Sequence, residues 1–114
     1  MVEPAYVPGT GDIVWLTFTP QAGHEQAGRR PALVLSPRSY NEKTGLALFC
    51  PITSQVKGYP FEVVLPPASA VTGVILADQI KSLDWRVRRI DFASQAPSHV
   101  VGEVLEKLTV LLAG

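Results

Sequence analysis

Side chains able to move protons and hold phosphate are concentrated in two stretches, His24 to Pro31 (HEQAGRRP) and Pro51 to Glu62 (PITSQVKGYPFE). Glu25 stands five residues before Arg30, and Gly28 between them lets the backbone turn. Thr53, Ser54, Gln55 and Lys57 follow an apolar run that reads as the strand after the one Arg30 introduces. Consecutive strands usually pair, and that pairing brings Thr53 close to Arg30. A carboxylate, a guanidinium and a hydroxyl suit cleavage of a phosphodiester by an internal 2′-hydroxyl. That reaction needs a proton acceptor, a donor to the leaving oxygen and hydrogen-bonding or cationic groups for the charge growing on phosphorus. Arginine grips phosphate oxygens with two parallel hydrogen bonds, and threonine adds a third. The same residues also fit plainer roles. Glu25 and Arg30 would make an exposed loop ion pair worth about 0–1 kcal/mol, Thr53 would simply end its strand, and Arg29 and Arg30 would act as gatekeepers before an apolar run.

Other chemistries find less support. His24 and His99 stand alone without metal-ligand spacing, there is no GxxxxGK[ST] or GxGxxG, and no pattern orders a Ser-His-Asp set. No metal and no cofactor is therefore expected. The single cysteine, Cys50 in LALFCPI, leaves no disulfide framework and reads as a small buried residue. MVEPAYVPGTGD lacks the basic and apolar regions of a signal peptide, and no apolar run approaches the ~20 residues of a membrane span. The expected location is the cytoplasm, with no membrane partner.

Net charge is zero, with ten Lys+Arg against ten Asp+Glu, which argues against a polyanion binder held by bulk charge. Position alters that inference. Nine of the ten basic residues lie between Arg29 and Arg89, where only Glu42, Glu62, Asp78 and Asp84 oppose them, a surplus of +5; the flanks carry −3 and −2. Charge is segregated along a chain that is neutral in total.

The elements that must position these groups are short. With 114 residues, 46% of them hydrophobic and 18% charged, one folded domain spanning 1–114 is expected. Ten Pro and nine Gly cut the chain into brief apolar runs, the mark of a small β barrel or half-barrel. Strands are predicted at Asp12–Phe18, buried on both faces, and at Pro31–Ser36, Leu46–Ile52, Phe61–Leu65, Gly73–Ile80 and Val87–Phe92. Thr19–Arg30 reads as a long loop and Asn41–Gly45 as a turn. Pro51 inside a strand predicts an edge or a bulge, because proline donates no ladder hydrogen bond. From Ser98, the predicted N-cap behind Pro97, the period becomes helical: Val101, Val104, Leu105, Leu108, Leu111 and Leu112 form one stripe. So small a core would gain from pairing with a second copy.

Three blocks in order, GDIVWLTFTPQAGHEQAGRRPALVLSPRSYNEKTG, PITSQVKGYPFEVVLP and GVILADQIKSLDWRVRR, closely resemble the MazF family of bacterial toxin endoribonucleases, related to the PemK/Kid toxins. The resemblance implies a mainly β fold, a dimeric SH3-like barrel of six to seven short strands with a C-terminal α-helix. It implies a metal-independent endoribonuclease that cuts single-stranded RNA at short sequences, leaving a 2′,3′-cyclic phosphate and a 5′-OH. It also implies a MazE-like antitoxin whose acidic C-terminal segment blocks the RNA groove. Carried over by motif, Arg30 is the phosphate and acid/base group, Thr53 stabilises the transition state, and Glu25 is a loop residue needed for activity. Arginine is a poor base because its pKa lies above about 12, so Glu25 is the better proton acceptor and His24 the alternative. Arg29, His24, Ser54, Gln55, Lys57, Lys81 and Arg86 are the candidate RNA contacts, and Tyr59, Phe61 and Trp85 are candidate stacking platforms. Asp78 and Gln79 are read as serving the fold or a dimer contact. Ser54 stands where a second threonine is common in the family. Two further readings use the same fold: a toxin that binds DNA gyrase, which relies on a Trp-Gly-Ile ending where this chain has LLAG, and a non-catalytic SH3-like binding module.

Overall fold

The computed structural model describes residues 5–18 and 28–114. Its strands are β1 (Asp12–Thr17), β2 (Arg29–Val34), β3 (Leu46–Thr53), β4 (Glu62–Val64), β5 (Val74–Leu76), β6 (Lys81–Asp84) and β7 (Asp91–Gln95); its helices are α1 (Arg38–Thr44) and α2 (Ser98–Ala113). They form a seven-stranded antiparallel sheet in the order β4-β5-β3-β2-β1-β7, with β6 also on β3. β4 and β7 do not pair with each other, so the SH3-like barrel stays open along that seam.

Alternation explains why β1 to β3 lie at the centre. Ile13, Leu33, Cys50 and Ile52 face one apolar cluster, which α2 covers with Val100, Val104 and Leu108. Val14, Leu16, Ala32, Val34 and Phe49 face a second cluster closed by Trp85. Each side chain fully buried this way contributes about 1.5–3 kcal/mol, so three on α2 suffice to dock a helix that would be marginal alone. Both faces of β1 are accordingly apolar, as predicted, with only Trp15 exposed.

Several predicted elements are corrected. The connection PRSYNEKTG is not a bare turn but contains α1, ended by Gly45 in the left-handed region (φ 74°), whose N–H donates to Asn41 O at 2.9 Å. No apolar stripe announced it, because its one buried residue is polar. Asn41 Nδ2 donates to Pro8 O at 2.7 Å and Ser36 O at 3.0 Å, and Ser36 Oγ donates to Asn41 Oδ1 at 2.6 Å. β5 stops at Leu76, where a 3-10 turn (Ala77–Gln79) begins. The polar run KSLD then pairs with β3, tertiary pairing overriding a weak local signal. Trp85–Val87 is a 3-10 turn and Arg89 has φ 54°, so the last strand begins at Asp91 rather than Val87. Pro97, not Ser98, occupies the N-cap of α2. On that helix Leu105, Leu111 and Leu112 are exposed, and the docked face is Val100, Val104 and Leu108.

Pro51 lies in a central strand, paired with Ala32 of β2. Along its other edge β3 pairs with β6 over Leu46–Phe49 and with β5 over Ile52–Thr53, so the proline falls where β3 changes partners. A missing N–H costs least at such a gap.

Candidate active site

Arg30 and Thr53 are brought together by strand register. Leu16 of β1 sits opposite Arg30, and β2 pairs with β3 as Ala32↔Pro51, Leu33↔Cys50 and Val34↔Phe49. Continued by two residues, that register sets Arg30 across from Thr53. On its other side Thr53 pairs with Val74 of β5. The chain turns into β5 at Gly73, whose φ is +119° and whose missing Cβ would stand 2.2 Å from the Thr53 carbonyl oxygen. Only glycine admits that approach.

The two side chains are prepared differently. Arg30 is exposed, and among the described residues its guanidinium has no hydrogen-bond or ion-pair partner. The hydroxyl oxygen of Thr53 accepts the Gln55 N–H at 3.1 Å, which fixes the side chain and leaves its own proton to donate outward. Both residues border a cleft of ≈ 260 Å³ that also takes in Phe18, Leu76, Gln79 and Lys81. Lys81 Nζ stands 5.9 Å from the centre of the Phe18 ring. The cleft runs on into a hollow of ≈ 230 Å³ edged by Gln55, Lys57, Tyr59 and Glu62. In another direction it opens past Ser54 towards Trp15, Ala70 and Thr72. Arg30, Lys57 and Lys81 therefore face one depression in which Glu62 is the one acidic lining residue among those described.

The loop 54–61 that carries Lys57 is tied down at three places. Glu62 accepts the N–H of Lys57 on Oε2 at 3.0 Å and that of Gly58 on Oε1 at 2.9 Å. Tyr59 Oη donates to Asp78 Oδ2. That hydrogen bond, with smaller contributions from desolvation and from the charges of Asp78 and Glu62, raises the phenol above its ordinary value and keeps it a donor. Lys107 Nζ, from α2, donates to Pro60 O at 2.6 Å.

Of the residues singled out in the sequence, Arg30, Thr53, Ser54, Gln55, Lys57 and Lys81 line this connected depression. Arg29 does not. Its guanidinium pairs with Asp91 and donates to Arg89 O at 2.7 Å. Arg86 lies beside the opposite end of β3, where Asp84 pairs with Leu46, about 23 Å of strand from Thr53; its Nε is 3.9 Å from Asp84. His24 and Glu25 fall outside the described residues. Trp85 is buried, with Nε1 donating to Asn41 O at 3.0 Å, so its reading as a stacking platform is corrected. Cys50 is fully buried and its thiol is pushed up to about 12, by desolvation and then by the charge of Asp78, which removes it as a nucleophile near neutral pH. Sequence reasoning set Gln79 aside and passed over Phe18, yet both border the cleft. Gln79 stands two residues before Lys81 across a 3-10 turn, a spacing with no periodic signature.

A guanidinium without a partner among the described residues, a hydroxyl with a free proton and two lysines on one rim are groups able to bind a phosphodiester. Comparison with known proteins agrees with that chemistry. Residues 10–112 match the family model described as PemK-like, MazF-like toxin of type II toxin-antitoxin system. The chain is 59% identical over 83 residues to the endoribonuclease toxin MazF of Escherichia coli strain K12, covering 73% of this chain and 74% of that one. Among solved structures it resembles MazF from Deinococcus radiodurans, with TM-score 0.87, 60% identity, and coverage of 96% of this chain and 100% of the other. It also resembles a chain of the Deinococcus radiodurans MazE-MazF structure, with TM-score 0.85, 54% identity, and coverage of 95% and 97%.

Proposed function

The chain belongs to the PemK-like, MazF-like toxin family of type II toxin–antitoxin systems, and from that membership we propose that it is a metal-independent, sequence-specific endoribonuclease acting on single-stranded RNA in the cytoplasm. The observation that carries the site assignment is Arg30, without a partner among the described residues, set across from Thr53 in a cleft that Lys57 and Lys81 flank. One toxin domain spans residues 1–114, works as a homodimer, and is restrained by a MazE-like antitoxin whose acidic C-terminal segment competes for the same cations.

In this mechanism Arg30 clamps the nonbridging oxygens of the scissile phosphate and the Thr53 hydroxyl donates a further hydrogen bond. Both act most strongly as negative charge grows in the transition state. Glu25 takes the proton of the 2′-OH, with His24 beside it. The 2′-oxygen forms its bond to phosphorus as the bond to the 5′-oxygen breaks. That oxygen leaves with a proton passed along its hydrogen bond from Arg30, and exchange through solvent restores both side chains. The products are a 2′,3′-cyclic phosphate and a 5′-OH. Lys57 and Lys81 hold flanking phosphates without reading sequence, while Ser54, Gln55, Gln79 and Phe18 meet sugars and bases. Arg29, engaged with Asp91, braces the strand that presents Arg30.

The test is incubation of purified protein with a long single-stranded RNA in the presence of a metal chelator, followed by end mapping. Discrete cuts bearing cyclic-phosphate ends are expected, and they should vanish with Arg30→Ala. RNA left intact at high protein concentration would overturn the proposal.

A further inference from the structure

We infer that Glu62 is a positioning residue for RNA binding: its carboxylate shapes the loop 54–61 so that Lys57 faces the same cleft as Arg30. This rests on the endoribonuclease reading and extends it to a residue that acts through the loop backbone. The loop has no strand or helix of its own between Thr53 and Glu62, so its backbone needs partners from elsewhere. Glu62 is the first residue of β4 and its N–H donates to Tyr59 O at 3.0 Å, so the carboxylate is anchored by the sheet on one side and by the loop on the other.

The geometry is specific to a carboxylate. Two consecutive amides, those of Lys57 and Gly58, converge on its two oxygens at 3.0 and 2.9 Å, one amide to each oxygen. Successive N–H groups turned to one side form a concave anion site, and Gly58 permits it with φ +78° and open space where a Cβ would be. Filled internally by Glu62, this site orients the Lys57 backbone before any RNA arrives. Asp78 and Lys107 complete the frame by holding Tyr59 and the Pro60 carbonyl. An ordered loop spares the ordering entropy that a mobile one would lose on binding. The benefit should therefore appear in substrate affinity and not in the chemical step.

The experiment compares wild type, Glu62→Ala, Glu62→Gln, Lys57→Ala and the Glu62→Ala/Lys57→Ala double variant on one short single-stranded RNA containing a mapped cleavage site. Glu62→Ala should raise KM about tenfold and leave kcat within about threefold. Gln, with one acceptor oxygen for two amides, should fall between. The double variant should be hardly worse than Lys57→Ala, since Glu62 acts through that lysine. The slope of log affinity against log salt should shrink by about 0.7, the loss of one phosphate contact on a single strand. Hydrogen exchange at the Lys57 and Gly58 amides should quicken while β1–β3 stays protected. An unchanged KM in both Glu62 variants, or additive losses in the double variant, would overturn the inference. Wild type that cuts no RNA would instead overturn the endoribonuclease reading. Should Glu62→Ala lose its fold, Glu62→Gln and Tyr59→Phe, which frees the loop from Asp78, carry the same KM test.

Discussion

Two polar regions built from similar residue types lie towards opposite ends of β1, and their hydrogen bonding differs. At the Asp12 end, Asp12 is 2% exposed and accepts from Tyr6 Oη at 2.5 Å, Gly9 N at 3.0 Å and Arg38 Nη2 at 3.2 Å. Arg38 also donates to Val7 O at 3.0 Å. Near the Leu16 end, Arg30 is exposed with no partner among the described residues, and Thr53 keeps a proton to give. The closed set holds the segment before β1 against α1; the open set has donors aimed at solvent. A charged residue whose bonds are complete serves the fold, because a ligand would have to displace partners already in place. One whose bonds are incomplete at a cleft is available to a ligand. Arg29 and Arg30 repeat the contrast within two adjacent positions of one strand.

Substitutions should separate the two regions. The largest effect is expected from Arg30→Ala, which should lower kcat by about 10²–10³-fold while the thermal midpoint hardly moves, since no described contact is lost. Cleavage kinetics beside calorimetry would check it, and a matching loss of stability would break the comparison. Asp12→Ala should do the reverse. It leaves the buried Gly9 amide and the half-buried Tyr6 hydroxyl without their acceptor and takes one partner from the exposed Arg38, and should cost about 2–4 kcal/mol in denaturant unfolding, with kcat per folded molecule unchanged. Lys81→Ala should raise KM about 3–10-fold and reduce the salt slope by about 0.7, read from binding titrations at several ionic strengths.

Tyr6→Phe should cost about 1 kcal/mol. Burial, then the hydrogen bond from Tyr6 to Asp12, push this phenol well above its ordinary value. A raised folded value means that the stabilisation is complete below the unfolded pKa of about 10 and is lost progressively as pH rises from there through the folded one. The cost should thus be the same near pH 6 and pH 9, measured by urea unfolding at both. Arg29→Ala should give the smallest change, about 1 kcal/mol or less for a partly exposed ion pair, with KM within about twofold. A KM effect matching that of Lys81→Ala would show that Arg29 also meets RNA.

Much of this contrast was legible in the sequence. The antiparallel order of β2 and β3 follows from consecutive apolar runs, which usually pair as neighbours, and from it the meeting of Arg30 with Thr53. Charge segregation pointed to Lys57 and Lys81, but equally to Arg29 and Arg86. Order along a chain does not say which arginines already have partners. Glu62 and Gln79 were harder, because their roles depend on loop geometry with no period. Helix α1 escaped because Asn41 buries a polar side chain at the position where periodicity expects an apolar one. β6 escaped because pairing with β3, and not its own composition, makes it a strand.

The close approach of Gly73 to the Thr53 carbonyl has a consequence for heredity. Any side chain at that position must push the end of β3 away from the turn, and Thr53 with it, although Gly73 is not among the residues that line the cleft. Every missense change in a glycine codon adds a side chain, so a cell burdened by the toxin has an escape route of single base changes twenty codons from Thr53. Weakened alleles should collect at that glycine as well as at Arg30 and Thr53.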